Sequence, residues 1–131
     1  MSKNITRTFL RTEEGMDRYM EVMKERNEKN IKSDHFVNYQ HLLIKEFKHW
    51  VIIENEFPYD AVATTSHLIS TKREIALDWS LLNKEEWEEF KSIKEEYLKN
   101  NYDAIWENFP SGQTIPGHFH LHLVVLKREE V

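Results

Sequence analysis

Three histidines stand at every second position of an apolar run near the C-terminal end, His118-Phe119-His120-Leu121-His122-Leu123-Val124-Val125. Successive side chains of a strand point to opposite faces. The spacing therefore predicts a strand over 118–127 with His118, His120 and His122 on one face and Phe119, Leu121, Leu123 and Val125 on the other. Three imidazoles in register are costly to bury without partners, and imidazole gains and loses its proton near neutral pH. Three chemistries use such a row. Neutral imidazoles bind zinc or iron. One ring nitrogen attacks phosphorus while its neighbours orient it. The third use is pH-dependent packing.

The loop before the strand weighs between the first two. Ser111-Gly112-Gln113-Thr114-Ile115-Pro116-Gly117 supplies two glycines where backbone amides approach a ligand closely. The Gln113 amide and Thr114 hydroxyl are donors to phosphate oxygens. A phosphate-cradling loop running into a histidine strand suits nucleotide chemistry. A metal cage asks for a carboxylate partner, and no convincing one accompanies the triad.

Several elements must hold these residues. Glu13 to about Arg26 has Met16, Tyr19, Met20 and Met23 at helical spacing, which predicts a helix with a methionine packing face. Asn27–Asp34 is a polar break. Residues 35–48 fit either a helix or a first strand, the latter around Leu42–Phe47. Trp50–Glu54 is a short β-branched strand, Phe57-Pro58-Tyr59-Asp60 turns the chain, and His67–Thr71 begins another strand. Asn83 opens the strongest helix, with Glu86 three residues on as a capping box and Trp87, Phe90, Tyr97 and Leu98 at helical spacing. Tyr102–Phe109 is a further strand. The order predicts an α+β fold, a five-stranded antiparallel sheet with one long helix and an extra N-terminal helix.

Composition narrows the class. The chain has 131 residues, 40% of them hydrophobic, which suits one globular domain over 1–131. It has no cysteine, so disulfides and thiolate chemistry are excluded, and a reducing cytoplasm is the expected location. No apolar stretch reaches membrane-spanning length and the first residues carry no signal-peptide pattern, so no membrane association is expected. A net charge of −5 argues against general nucleic-acid binding, while leaving room for a small anionic ligand at one site. His35, His41 and His49 lie outside the motif and are expected at or near the surface. Trp50, Trp79, Trp87 and Trp106 are core candidates.

The segment His118-Phe119-His120-Leu121-His122-Leu123-Val124 resembles the signature of the histidine-triad (HIT) family of nucleotide hydrolases and transferases, in which histidines alternate with apolar residues. Gly112-Gln113-Thr114 resembles the element that precedes it. Ser66-His67-Leu68-Ile69-Ser70-Thr71-Lys72-Arg73 is similar to the family's upstream strand, and Asn55-Glu56-Phe57-Pro58-Tyr59-Asp60 to a motif of one branch. The resemblance covers about residues 50–128 as a HIT core, with 1–49 as an extension plus the first elements.

The resemblance implies roles. His120 is the nucleophile that forms a phosphohistidine intermediate, His122 contacts phosphate oxygens, and His118 buttresses the site. His67 orients His118 or its neighbours from the adjacent strand. Asn55 holds the ribose hydroxyls, Gly112, Gln113 and Thr114 bind phosphate and leaving group, and Asn108 corresponds to a side-chain amide on the preceding strand. The implied reaction is hydrolysis or transfer at the α-phosphate of a nucleoside phosphoramidate or dinucleoside polyphosphate. A nucleotide-type small molecule is the substrate and a homodimer the assembly; no cofactor is required and no protein-bound metal is expected, though magnesium accompanies polyphosphates. The spacing departs from the family in three places. Gln113 stands five residues before His118, one more than in the family; the gap from Asn55 to His67 is about four residues longer; and Asn108 lies closer to Gln113, with Trp106 at the amide's ungapped position. A non-catalytic nucleotide-binding or sensor protein of the same fold, and a His-ligated metal enzyme, are the alternatives.

Overall fold

Val51, Ile52 and Ile53 on one strand and Leu68 and Ile69 on the next are buried on both faces of a sheet, as unbroken β-branched and leucine runs require. The computed structural model describes residues 10–29, 39–75, 79–109 and 118–128. The described elements are, in order, α1 (Glu13–Glu28), β1 (Leu43–Glu46), β2 (Trp50–Glu54), β3 (Ala63–Thr71), α2 (Lys84–Ile93), β4 (Ala104–Trp106) and β5 (His120–Leu126). The strands form one antiparallel sheet in the order β1-β2-β3-β5-β4. The expected α+β architecture is therefore the observed one.

The helix that covers the sheet begins as its sequence requires. Asn83 Oδ1 accepts from the Glu86 amide at 2.8 Å, and Glu86 Oε1 accepts from the Asn83 amide at 2.9 Å. Helical backbone continues past Ile93 through a π-helical stretch, Lys94–Leu98, to a last turn at Lys99–Asn101. Phe90, Ile93 and Leu98 pack on Trp50, Ile52, Ile69, Phe119, Leu121 and Leu123, which form the main core. The Trp50 indole N–H donates to the Glu86 carbonyl, so this large ring is buried with its donor satisfied. The opposite face carries a smaller cluster, Val51, Ile53 and Leu68, with Tyr39, Leu42 and Leu43 against it.

Two boundaries and one expected packing face differ from those read in the sequence. β3 begins at Ala63, not His67, so much of the extra length between Asn55 and His67 is strand. Thr64 and Thr65 favour extended backbone, and Ala63–Thr65 find partners at Leu126 and Val125 across a bulge. β4 is only Ala104–Trp106, because Tyr102 still closes the helix, its amide donating to the Leu98 carbonyl. The methionine stripe of α1 is not a buried face: no residue of this helix is buried, and Met20 is 61% exposed. Trp50 lies in the core, Trp79 is partly buried against it, Trp106 is half-buried, and Trp87 is among the exposed large hydrophobic residues.

Instead α1 is held at its start and along one side. Thr12 caps it, its hydroxyl accepting from the Gly15 amide at 3.0 Å. The Thr12 amide and hydroxyl in turn donate to the two Asp60 carboxylate oxygens, each at 2.8 Å. Gly15 permits this approach, because a Cβ there would stand 2.8 Å from both Asp60 oxygens. Further along, Tyr19 meets Phe57 edge-on at 5.1 Å and Arg26 pairs with Glu56 at 2.8 Å. The N-terminal helix is thus docked on the turn 56–60.

Candidate active site

Residues directly opposite each other on antiparallel strands share a face. β5 pairs with β3 so that His122 faces Leu68 and His120 faces Ser70, while Leu123 faces His67. β2 continues the rows, Ile53 opposite Leu68 and Glu54 opposite His67. His120 and His122 therefore lie with Ser70, Leu68, Ser66 and Ile53 on the face away from α2. Phe119, Leu121 and Leu123 point into the main core, as the alternation predicts. His118, His120 and His122 are 4%, 2% and 3% exposed.

Two ring nitrogens of the triad have their protons assigned by what they meet. His120 Nδ1 lies 2.8 Å from the carbonyl oxygen of His118. A carbonyl only accepts, so Nδ1 carries a proton, and in the neutral ring Nε2 has the lone pair. His118 supports its neighbour through its main chain. The imidazoles of His120 and His122 meet at 5.4 Å, 66° apart. His122 Nε2 lies 3.1 Å from Asn108 Nδ2 and 3.3 Å from the Tyr59 hydroxyl. Its ring stacks on that of Tyr59, centroids 4.7 Å apart and planes 21° apart.

Asn108 is brought to the triad by strand register. Trp106, the last residue of β4, pairs with His122, and two residues later the chain places the Asn108 side chain on the same face. Its amide nitrogen also donates to the Tyr59 hydroxyl at 2.8 Å. Trp106 flanks the group, 6.2 Å from the Tyr59 ring. Asn55 lies next to the end of β2 in the row shared with Ser66. Its Oδ1 accepts from the Phe57 amide at 3.0 Å and its Nδ2 donates to Ser66 Oγ at 3.3 Å. Asn55 therefore shapes the turn that carries Tyr59, whose own amide donates to Ser66 Oγ at 3.2 Å.

His67 is not at this site. Because it faces Leu123, its ring lies on the α2 side of the sheet, where Nδ1 meets the Tyr102 hydroxyl at 2.7 Å. The expectation that it orients the triad is corrected by one residue of register parity. Burial holds its pKa below the ordinary imidazole value, against a smaller opposing effect of the Glu54 carboxylate. Tyr102 is pushed up by burial and by Tyr97 beside it. Tyr102 also lines a cavity of about 360 Å³ between Lys94–Lys99 and β4, on the side of the sheet opposite the triad. Gly112, Gln113, Thr114 and His35 lie outside the described residues. Of the other histidines, His41 is exposed and His49 half-buried in the β1–β2 turn.

Two residues near the triad had no role in the sequence reading. Tyr59 belongs to the Asn55–Asp60 motif, which is its signal in the sequence. Arg11 had none. It is 2% exposed, its Nε donates to the Phe57 carbonyl at 3.0 Å, and its guanidinium lies 5.0 Å over the Tyr59 ring and 4.8 Å over that of Tyr19. A buried cation against two aromatic faces and a carbonyl is a strong fastener for the turn. Asp60 at the end of that turn is held below the usual carboxylate range; burial opposes this, and the Thr12 amide and hydroxyl outweigh it. Among the described residues, no group of three or more His, Asp or Glu side chains is arranged to hold a metal ion. No described helix is long and apolar enough to cross a membrane.

No family model matches the chain, and no curated protein matches it. A solved structure named "Hit Like Protein" is similar to it with a TM-score of 0.51 at 17% identity, over 69% of this chain and 91% of that one. At that identity the likeness shows the fold alone. The chain has a HIT-like α+β fold with a five-stranded antiparallel sheet.

Proposed function

We propose that the protein hydrolyses or transfers a nucleotidyl group at the α-phosphate of a nucleoside phosphoramidate or dinucleoside polyphosphate. The observation that carries this reading is the 2.8 Å contact between His120 Nδ1 and the His118 carbonyl oxygen. His120 gives its Nδ1–H to that carbonyl, which in the neutral ring leaves Nε2 as a lone-pair nitrogen of fixed direction. In the proposed first step Nε2 attacks the α-phosphorus, the N–P bond forms, and the bond to the leaving group breaks with its electron pair. The imidazole gains positive charge as this happens, and the Nδ1–H to carbonyl bond strengthens with it. Water then attacks phosphorus and loses a proton, which balances the one taken up by the leaving group; the N–P bond breaks with its electron pair returning to Nε2, and the mononucleotide leaves.

The remaining roles follow from position and from the resemblance. With Nε2 of His122 accepting from Asn108, the N–H of this ring is on Nδ1, which is its donor to a phosphate oxygen. The Asn55 amide has donor and acceptor capacity beyond its two bonds, enough for a ribose hydroxyl. Gly112, Gln113 and Thr114 are proposed to hold the reacting phosphate and the leaving group. The chemistry uses no protein-bound metal, and a polyphosphate substrate brings its own magnesium. A homodimer in the cytoplasm is the proposed setting.

The test incubates the protein with adenylyl and guanylyl conjugates and measures mononucleotide release. His120→Asn is expected to abolish turnover while mononucleotide affinity stays within about tenfold, since a lost nucleophile removes chemistry more than ground-state binding. Tight mononucleotide binding with no release from any conjugate favours a nucleotide sensor. Equal loss from changing any of the three histidines, with bound metal falling in step, overturns the phosphohistidine reading.

A further inference from the structure

Residues from three distant parts of the chain converge on one atom. Tyr59 comes from the turn after β2, Asn108 from the segment after β4, and His122 from the centre of β5. An amide nitrogen only donates hydrogen bonds. With the Asn108 amide oriented as it is, its nitrogen lies 2.8 Å from the Tyr59 hydroxyl oxygen and 3.1 Å from His122 Nε2. His122 Nε2 is therefore an acceptor. The Tyr59 hydroxyl, already accepting from Asn108, has its own proton to direct at the same nitrogen, 3.3 Å away. The stacked ring contact of 4.7 Å fixes the plane of the imidazole as well.

We propose that Tyr59 is a positioning residue of the triad, holding His122 as the neutral imidazole with its lone pair on Nε2; the catalytic half of this role rests on the nucleotidyl reading above. The need for such a hold lies in the neighbour. The His120 and His122 rings are 5.4 Å apart, and His120 becomes positively charged when it takes the phosphoryl group. An imidazolium at His122 would oppose that step, whereas a neutral ring does not. Two donors aimed at Nε2 favour the neutral form, because a protonated Nε2 would point its hydrogen at the Asn108 amide hydrogens.

The positioning is itself built into the fold. The Tyr59 amide is tied to Ser66 Oγ at 3.2 Å, and its ring lies under the buried Arg11 guanidinium. Arg11 adjoins Thr12, the cap of α1, so the docked N-terminal helix bears on Tyr59 and, through it, on His122. Nothing in the triad motif itself supplies this contact.

The test uses Tyr59→Phe, which keeps the stacking ring and loses only the hydroxyl. Nitrogen NMR of the His122 imidazole reads its tautomer directly. The full-length protein is expected to show a pyridine-type Nε2 and a pyrrole-type Nδ1. In Tyr59→Phe both signals should move toward the averaged position of exchanging tautomers. Turnover of an adenylyl conjugate should fall about tenfold with KM within about threefold, the loss of roughly one hydrogen bond that acts after binding. Unmoved nitrogen signals overturn the proposal. Should Tyr59→Phe fail to fold, Asn108→Ala leaves the Tyr59 hydroxyl as the donor to Nε2 of this pair; a retained pyridine-type Nε2 signal there upholds the hold by Tyr59, and an averaged signal overturns it. Moved signals in a protein that releases no mononucleotide from any conjugate, wild type included, uphold the positioning and reject the nucleotidyl reading instead.

Discussion

Gly15→Ala is expected to destabilise the protein, against the usual direction for a helical glycine. Gly15 lies in the first turn of α1, where alanine is ordinarily worth about 1 kcal/mol through helix propensity. Here the added Cβ would stand 2.8 Å from both Asp60 carboxylate oxygens, so the carboxylate must move by about half an ångström or more to restore ordinary contact. That displacement is cheap for the side chain and costly for what it holds. Asp60 accepts from the Thr12 amide and hydroxyl at 2.8 Å each. Bonds to a charged group contribute about 1.5 kcal/mol or more apiece, so losing both costs about 3 kcal/mol. Subtracting the propensity gain leaves about 2 kcal/mol at the low end of the bond strengths, and partial retention of the bonds brings the expected loss to about 1 kcal/mol.

The assay is urea unfolding of Gly15→Ala in two backgrounds. With Asp60 present the midpoint should fall, with a melting temperature lower by about 4 °C. With Asp60→Ala the clash and the bonds are both gone, and the same glycine change should stabilise by up to about 1 kcal/mol. The sign reversal is the signature of a direct contact, as in any double-mutant cycle. The same sign in both backgrounds refutes the docking of α1 on Asp60.

Two further outcomes follow from the helices and from the misplaced histidine. Asn83→Ala should cost about 1 kcal/mol in chemical denaturation by removing the N-cap of α2, and Asn83→Asp, which keeps an acceptor, should be close to neutral. His67 has its pKa lowered by burial in the folded protein, so the unfolded chain binds its proton more readily. Its contribution is thus fully present above the ordinary value of 6.5 and is lost as pH falls through the lower folded value. A series of unfolding curves from neutral to mildly acid pH should show this loss in the wild type and a flatter slope in His67→Gln.

Much of the site was legible in local pattern. Period-two alternation put His120 and His122 on one face, and Asn83 with Glu86 marked the start of the covering helix. Both are properties of a few consecutive residues, set by backbone geometry that does not depend on the rest of the chain. The β-branched run Trp50–Glu54 appeared with the bounds read for it, because a strand buried on both faces is apolar without interruption.

What the tertiary structure alone decided is which distant residues meet those faces. His67 looks equivalent to the triad histidines in sequence, yet β3 pairs so that it faces Leu123, and a shift of one residue in register would have turned it to the other side. Asn108 reaches His122 because Trp106 pairs there, a partnership set by strand order and not by the spacing from Gln113. Arg11 offered no local signal, since its burial depends on Tyr19 and Tyr59, far apart in sequence and brought together by the Thr12–Asp60 contact. The chemistry of each residue is inscribed in its type and local period. Its partners are settled only when register and packing choose among faces that local pattern leaves equivalent.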